Sequence, residues 1–307
     1  MIANFFNKTK PIVFFILASL LFVYYILAIA NFKFEAFSFL WLAQQFGFFV
    51  LIIGFLLISS FIIKKNTLTQ NNSYALLLLV LLLGTFYEAM FDVPIVIANV
   101  FLLLGFRKVY SLRTISATKL KLFDAGFWFG VAALFYAWSI IFVLLIYVAL
   151  IIFERINVKN LIRPIVGVIT PIFIYFIYCF AFGSVNDFYN CWEFNFNVNY
   201  TSYNNLKLLL PISVSLAAVI WSIVTLTPKV SVSGIHIKRA WRIVLNHLIF
   251  AAIIIAFAPI KNGSEMLFMI FPFSVIITNY LRISPSENFK NLLLYLFLIL
   301  SISVYFL

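Results

Sequence analysis

Apolar residues fill this chain in long unbroken blocks, and the polar residues gather in the short gaps between them. Runs such as 11–30, 40–63 and 164–182 reach the ~20 residues that a helix needs to cross a bilayer core. Hydrocarbon offers no water to backbone N–H and C=O groups, so such blocks must bond internally as helices. The pattern predicts an all-α, polytopic transmembrane helical bundle. Its breaks mark about eleven membrane segments, at 11–30, 40–63, 74–91, 93–106, 123–136, 138–153, 164–182, 208–227, 242–258, 265–281 and 291–307. Some are short: 93–106 covers only about 21 Å as helix. Residues 123–153 read as a hairpin turning at Ala137–Ser139, because a single tilted helix would carry Arg155, Lys159 and Arg163 to the outer face. No fixed-period repeat and no Gly/Ser/Pro linker divides the chain, which reads as one transmembrane domain over 1–307. The longest connection, 183–206, mixes Asn with Phe, Tyr and Trp. It suits an interfacial anchor or, alternatively, a partner-binding patch.

Composition strengthens the membrane reading, since 65% of the residues are hydrophobic and only 10% charged. A soluble domain has roughly half apolar and about a quarter charged residues. The charges are also sorted by sign. With the N-terminus in the cytoplasm, 18 of the 21 basic residues fall on the cytoplasmic side, and only Lys33, Lys207 and Lys261 fall outside. Basic residues in short loops set orientation, so the N-terminus is expected in the cytoplasm and, with an odd number of segments, the C-terminus in the periplasm. The net charge of +12 then needs no nucleic-acid partner; membrane lipids account for it. The first apolar run has no small-residue cleavage motif after it and reads as a retained helix.

Two cysteines and two histidines exclude several metal chemistries: no pair has zinc-finger spacing, and no metal or cofactor site is expected. Cys179 and Cys191 are read as either a disulfide or packing fillers. His247 opens an apolar run, where it can bond across helices. The catalytic candidates are Glu35, Glu88 and Asp92, all placed on the outer side. On a continuous helix Glu88 and Asp92, four apart, would share a face and one cavity. An ionisable group in a membrane segment is costly and so a functional candidate; the alternative, which has the greater weight, is that both merely cap a loop in water. Asp124 reads as the cap of a helix N-terminus. Gly126 and Gly130 form a Gly-x-x-x-Gly pair suited to close helix packing.

The stretch from Leu122 to Tyr136, the basic Glu154–Arg163 loop and Gly167 with Thr170-Pro171 resemble a family of polytopic inner-membrane proteins of Bacteroidota, flavobacteria above all, with no established activity. The resemblance implies a location and no site residue. Relatives are sometimes labelled beta-carotene monooxygenases, yet such iron enzymes use four histidine ligands, and this chain holds two histidines. Three functions are consistent with the sequence. The leading one is a non-catalytic inner-membrane subunit or scaffold of an envelope complex for secretion, gliding or surface assembly, with other envelope membrane proteins as partners. The second is a glycosyltransferase using a polyprenyl-phosphate sugar, with Glu35, Glu88 or Asp92 as base. The third is a small-solute transporter, weakened by the lack of an inverted repeat.

Overall fold

A computed structural model describes residues 2–31, 38–284 and 286–307. Among them the regular structure is helical: α1 (Ile2–Phe6), α2 (Pro11–Asn31), α3 (Phe39–Lys65), α4 (Tyr74–Thr85), α5 (Val93–Tyr110), α6 (Thr118–Phe135), α7 (Val143–Ile152), α8 (Val158–Ala181), α9 (Val185–Asn190), α10 (Leu206–Ser231), α11 (Ile235–Phe257), α12 (Leu267–Ile283) and α13 (Glu287–Ser303). The protein is a multi-span membrane-helix bundle, but the expected eleven segments are too many. Seven described stretches are long and apolar enough to cross: Pro11–Asn31, Phe39–Lys65, Val93–Arg113, Val158–Ala181, Leu206–Ser231, Ile235–Phe257 and Ser264–Ile283. The excess comes from counting apolar runs without asking what surrounds them or how far they reach. All twelve residues of α4 are buried, so protein covers a helix that is only about 18 Å long. The 137–152 stretch is also short, beginning as 3-10 helix over Ala137–Phe142.

The chain packs as two compact units: Met1–Val96 with Asn199–Ser233 and Lys261–Leu307, and Ile97–Val198 with Gly234–Ile260. In the first, α4 is the hub, and α2, α3, α12 and α13 pack around it. A helix apolar on every side has no solvent face to present, which is why it takes the centre. Polar bonds stitch the surround. Tyr74 donates to the Ala3 carbonyl at 2.8 Å, the Ala3 N–H donates to Asn291 at 2.9 Å, and the Tyr24 and Ser301 hydroxyls share a 2.6 Å hydrogen bond.

In the second unit α6 and α8 make the most extensive contact. The expected break is present: α6 ends at Phe135, Tyr136 turns to extended backbone (φ −147°, ψ 101°), and the chain folds back against α6. Gly126 and Gly130 face α8 of the same chain. A Cβ at Gly130 would lie 2.6 Å from the Val168 carbonyl oxygen, one at Gly126 would fall on the Pro164 carbonyl, and one at Gly167 on that of Phe123. These glycines serve internal packing, with backbone against backbone. Pro164, Gly167, Pro171 and Cys179 lie along the buried face of α8, whereas Ile165, Ile169, Phe173 and Ile177 are exposed to the lipid that a spanning helix meets. His247 bonds across helices: its Nδ1 is 3.1 Å from the Tyr110 hydroxyl, and its ring lies 4.0 Å from that of Phe106.

Candidate functional site

Three connections of the first unit meet in a polar cluster: the turn after α4, the 3-10 turn Thr201–Asn204 before α10, and the loop leading into α12. The helical path breaks after Thr85, and a 3-10 turn covers Tyr87–Met90 before α5 begins at Val93. Glu88 and Asp92 therefore do not share a face of one helix, contrary to the expectation from their spacing. Asp92 sits just before α5. Its Oδ1 accepts the Ile95 N–H at 3.2 Å, an N-cap interaction, and its Oδ2 lies 3.0 Å from the Ser264 hydroxyl. The same hydroxyl is 2.7 Å from Asn262 Oδ1 and has one proton to give.

Glu265 is the most enclosed carboxylate among the described residues, with no exposed surface. A buried charge costs several kcal/mol unless hydrogen bonds replace its water. Tyr203 donates its hydroxyl to Oε1, and the Gly263 N–H reaches Oε1 and Oε2 at 3.2 and 3.0 Å. Gly263 can turn its N–H inward because its φ is +100°, a left-handed geometry that disfavours any side chain. Two lysines complete the cluster: Lys261, 4% exposed, places Nζ 4.7 Å from the Tyr200 ring centre, and Lys207 places Nζ 5.2 Å from that of Tyr87.

Glu88 is different. It is half-buried, and its carboxylate accepts no hydrogen bond from the described residues. Burial pushes its carboxyl above the ordinary range; Lys207 opposes that shift and Glu265 adds to it. Chemically, Asp92 and Glu265 are fasteners, while Glu88 is a carboxyl able to exchange a proton. Glu35 lies outside the described residues. Glu265, Tyr203 and Ser264 were not singled out in the sequence; the available signal was Lys261 and Glu265, opposite charges four residues apart at the start of a span.

The remaining candidates lie in the second unit. Asp124 does not cap a helix: α6 starts at Thr118 after Ala117, so Asp124 is past the first turn, where free N–H groups have ended. It pairs instead with Lys108 at 2.6 Å. Cys179 and Cys191 are free thiols. Among the described residues, no group of three His, Cys, Asp or Glu side chains is placed to hold a metal ion.

No curated protein and no solved structure matches the chain. A family does match, over residues 1–307, and the chain belongs to it: the Family of unknown function DUF6427.

Proposed function

We propose that this membrane protein is a non-catalytic subunit or scaffold of a bacterial envelope complex. In this reading it sits in the inner membrane with the N-terminus in the cytoplasm and the C-terminus in the periplasm. One observation carries the proposal: two of the three carboxylates of the polar cluster, Asp92 and Glu265, are used to fasten chain connections together. Asp92 caps α5 and reaches Ser264, while Glu265 holds the Gly263 N–H and the Tyr203 hydroxyl. Acidic groups bound in this way preserve a shape and are poorly placed to turn over a substrate. The 18-to-3 division of basic residues supports the orientation once the short helices α4 and α13 also cross, in addition to the seven long spans.

The glycosyltransferase reading keeps one specific support, Glu88, a half-buried carboxyl held above its ordinary range. A base of that kind could take the proton of an acceptor hydroxyl. Glu88→Gln removes the base and keeps the shape, so it separates the two readings. In the scaffold reading, the variant purifies from native membranes with an unchanged set of co-purifying envelope proteins, and its host keeps the wild-type phenotype. Loss of the host phenotype at unchanged membrane level, with a polyprenyl-phosphate lipid bound to the purified protein, would replace the scaffold by the transferase.

A further inference from the structure

The second unit contains a cleft of about 1320 Å³ in which Arg113, Lys119, Arg155, Lys159, Arg163 and Arg239 converge. Among the described residues its single acidic lining residue is Glu154. Orientation bias explains why basic residues occupy one side of a membrane protein. It does not explain why six of them crowd one cavity, where like charges repel. Arg155 registers that crowding: burial and the neighbouring Arg239 both push its guanidinium below the ordinary value.

The backbone adds the same sign. Residues at the starts of α6, α8 and α11 all line the cleft: Thr118 and Lys119, Val158 and Lys159, His236 and Arg239. A helix start carries about half a positive charge and favours an acidic first turn. None of these three helices has an acidic residue there. No side chain caps α6 or α11, because Ala117 and Gly234 occupy the cap positions. Three helix starts break the same rule at one place, in favour of cations. Such a conflict is relieved when an anion occupies the space.

The cavity is held open by built contacts. Arg155 donates to the Thr114 carbonyl and to the Thr118 hydroxyl, both at 2.9 Å, which ties the α5–α6 connection to the α7–α8 connection. Glu154 accepts from Arg239 at 2.7 Å, so a carboxylate already occupies part of the positive field. Ala117 and Glu154, two of the described non-glycine residues with positive φ (54° and 58°), both line the cleft. Ile115, 84% exposed, and the exposed Leu120 and Val158 add an apolar lip.

We infer that this cleft is a binding site for a phosphate-bearing anion, with Lys119, Lys159 and Arg239 as its principal ligands and Glu154 as the internal group that the phosphate displaces. The shared chemistry is an anionic phosphoryl group, which an anionic phospholipid head group or a free soluble phosphate can present. The apolar lip suits the acyl chain root of the lipid.

The test uses the full chain in neutral detergent, titrated with short-chain phosphatidylglycerol and, separately, with sodium pyrophosphate, and read by native mass spectrometry and by thermal midpoint. The double variant Lys119→Ala/Lys159→Ala should weaken binding about thirty-fold, as loss of two surface cations implies. Glu154→Gln should strengthen it, an effect that misfolding cannot imitate. Lys64→Ala/Lys65→Ala, which removes two cations that do not line the cleft, should leave it unchanged. Binding of phosphatidylglycerol alone assigns the site to a lipid, and binding of pyrophosphate assigns it to a soluble phosphate. Equal losses in both lysine pairs, or no strengthening by Glu154→Gln, would overturn the site.

Discussion

Replacing Gly126 by Ala tests the close packing of α6 on α8 with one methyl group. Its Cβ would fall on the Pro164 carbonyl, and at Gly130 the same addition would lie 2.6 Å from the Val168 oxygen and 2.8 Å from Pro171 Cγ. Ordinary contacts between such atoms are about 3.5 Å, so α6 and α8 must part by about 1 Å. The obstacle is a helical carbonyl, which cannot rotate away as a side chain can. Overpacking usually costs about 1–3 kcal/mol, and the backbone obstacle argues for the upper end. Ala recovers about 1 kcal/mol of helix propensity, leaving a net loss of about 2 kcal/mol. Gly54→Ala is the control, because nothing lies within 4 Å of a Cβ at that position. It should be neutral or slightly stabilising. The assay is reversible unfolding in mixed detergent, followed by tryptophan fluorescence; Trp128 on α6 is stacked on Phe101 at 5.6 Å and reports directly. Gly126→Ala with Gly130→Ala should cost less than the sum, since once the helices have parted both methyls fit. If Gly126→Ala unfolds with Gly54→Ala and wild type, the close packing of α6 on α8 is refuted.

Cysteines introduced as Lys64→Cys and Lys119→Cys should be labelled only from the cytoplasmic face, and Asn195→Cys only from outside. That outcome requires α4 to carry the chain across despite its length, and labelling of Lys119→Cys from outside would reverse the orientation. Asp124→Asn should cost under about 1 kcal/mol and less still in high salt, because Lys108 and Asp124 are 28% and 32% exposed; a loss above 2 kcal/mol would mean the pair is a structural keystone. The raised carboxyl of Glu88 means that its protonated form favours the fold, a contribution present below the ordinary value near ~4.3 and lost as pH rises through the folded value. Glu88→Gln should therefore outlast wild type in thermal unfolding at pH 8 and match it near pH 4.

The helical membrane class was legible because it depends on composition and run length, which tertiary packing cannot undo. The number of spans was not. Tyr74–Thr85 reads the same whether lipid or protein surrounds it, and only its neighbours decide. Asp92 carried a readable signal that its spacing from Glu88 obscured: an acidic residue two positions before Pro94 marks a helix start, so the turn before α5 could have been inferred. Asp124 was misread for the opposite reason. The true start of α6 follows Ala117 at φ 54°, a residue with no capping side chain. The partnership of Glu265 with Tyr203 spans 62 positions, and no local pattern reports it.

The basic cleft lies between these extremes. Its charges are plain in the sequence, and orientation bias is a sufficient account of each one separately. What points further is their register against the helices. Lys119, Lys159 and Arg239 fall in or near the first turns of α6, α8 and α11, where the backbone already presents positive charge. One such start is ordinary variation; three that open on the same cavity concentrate positive charge there, and Arg155 beside Arg239 shows the effect. Glu154 offsets one member, Arg239, and is itself held in a left-handed conformation. A compensating anion from outside the chain removes the remaining repulsion without any change of fold.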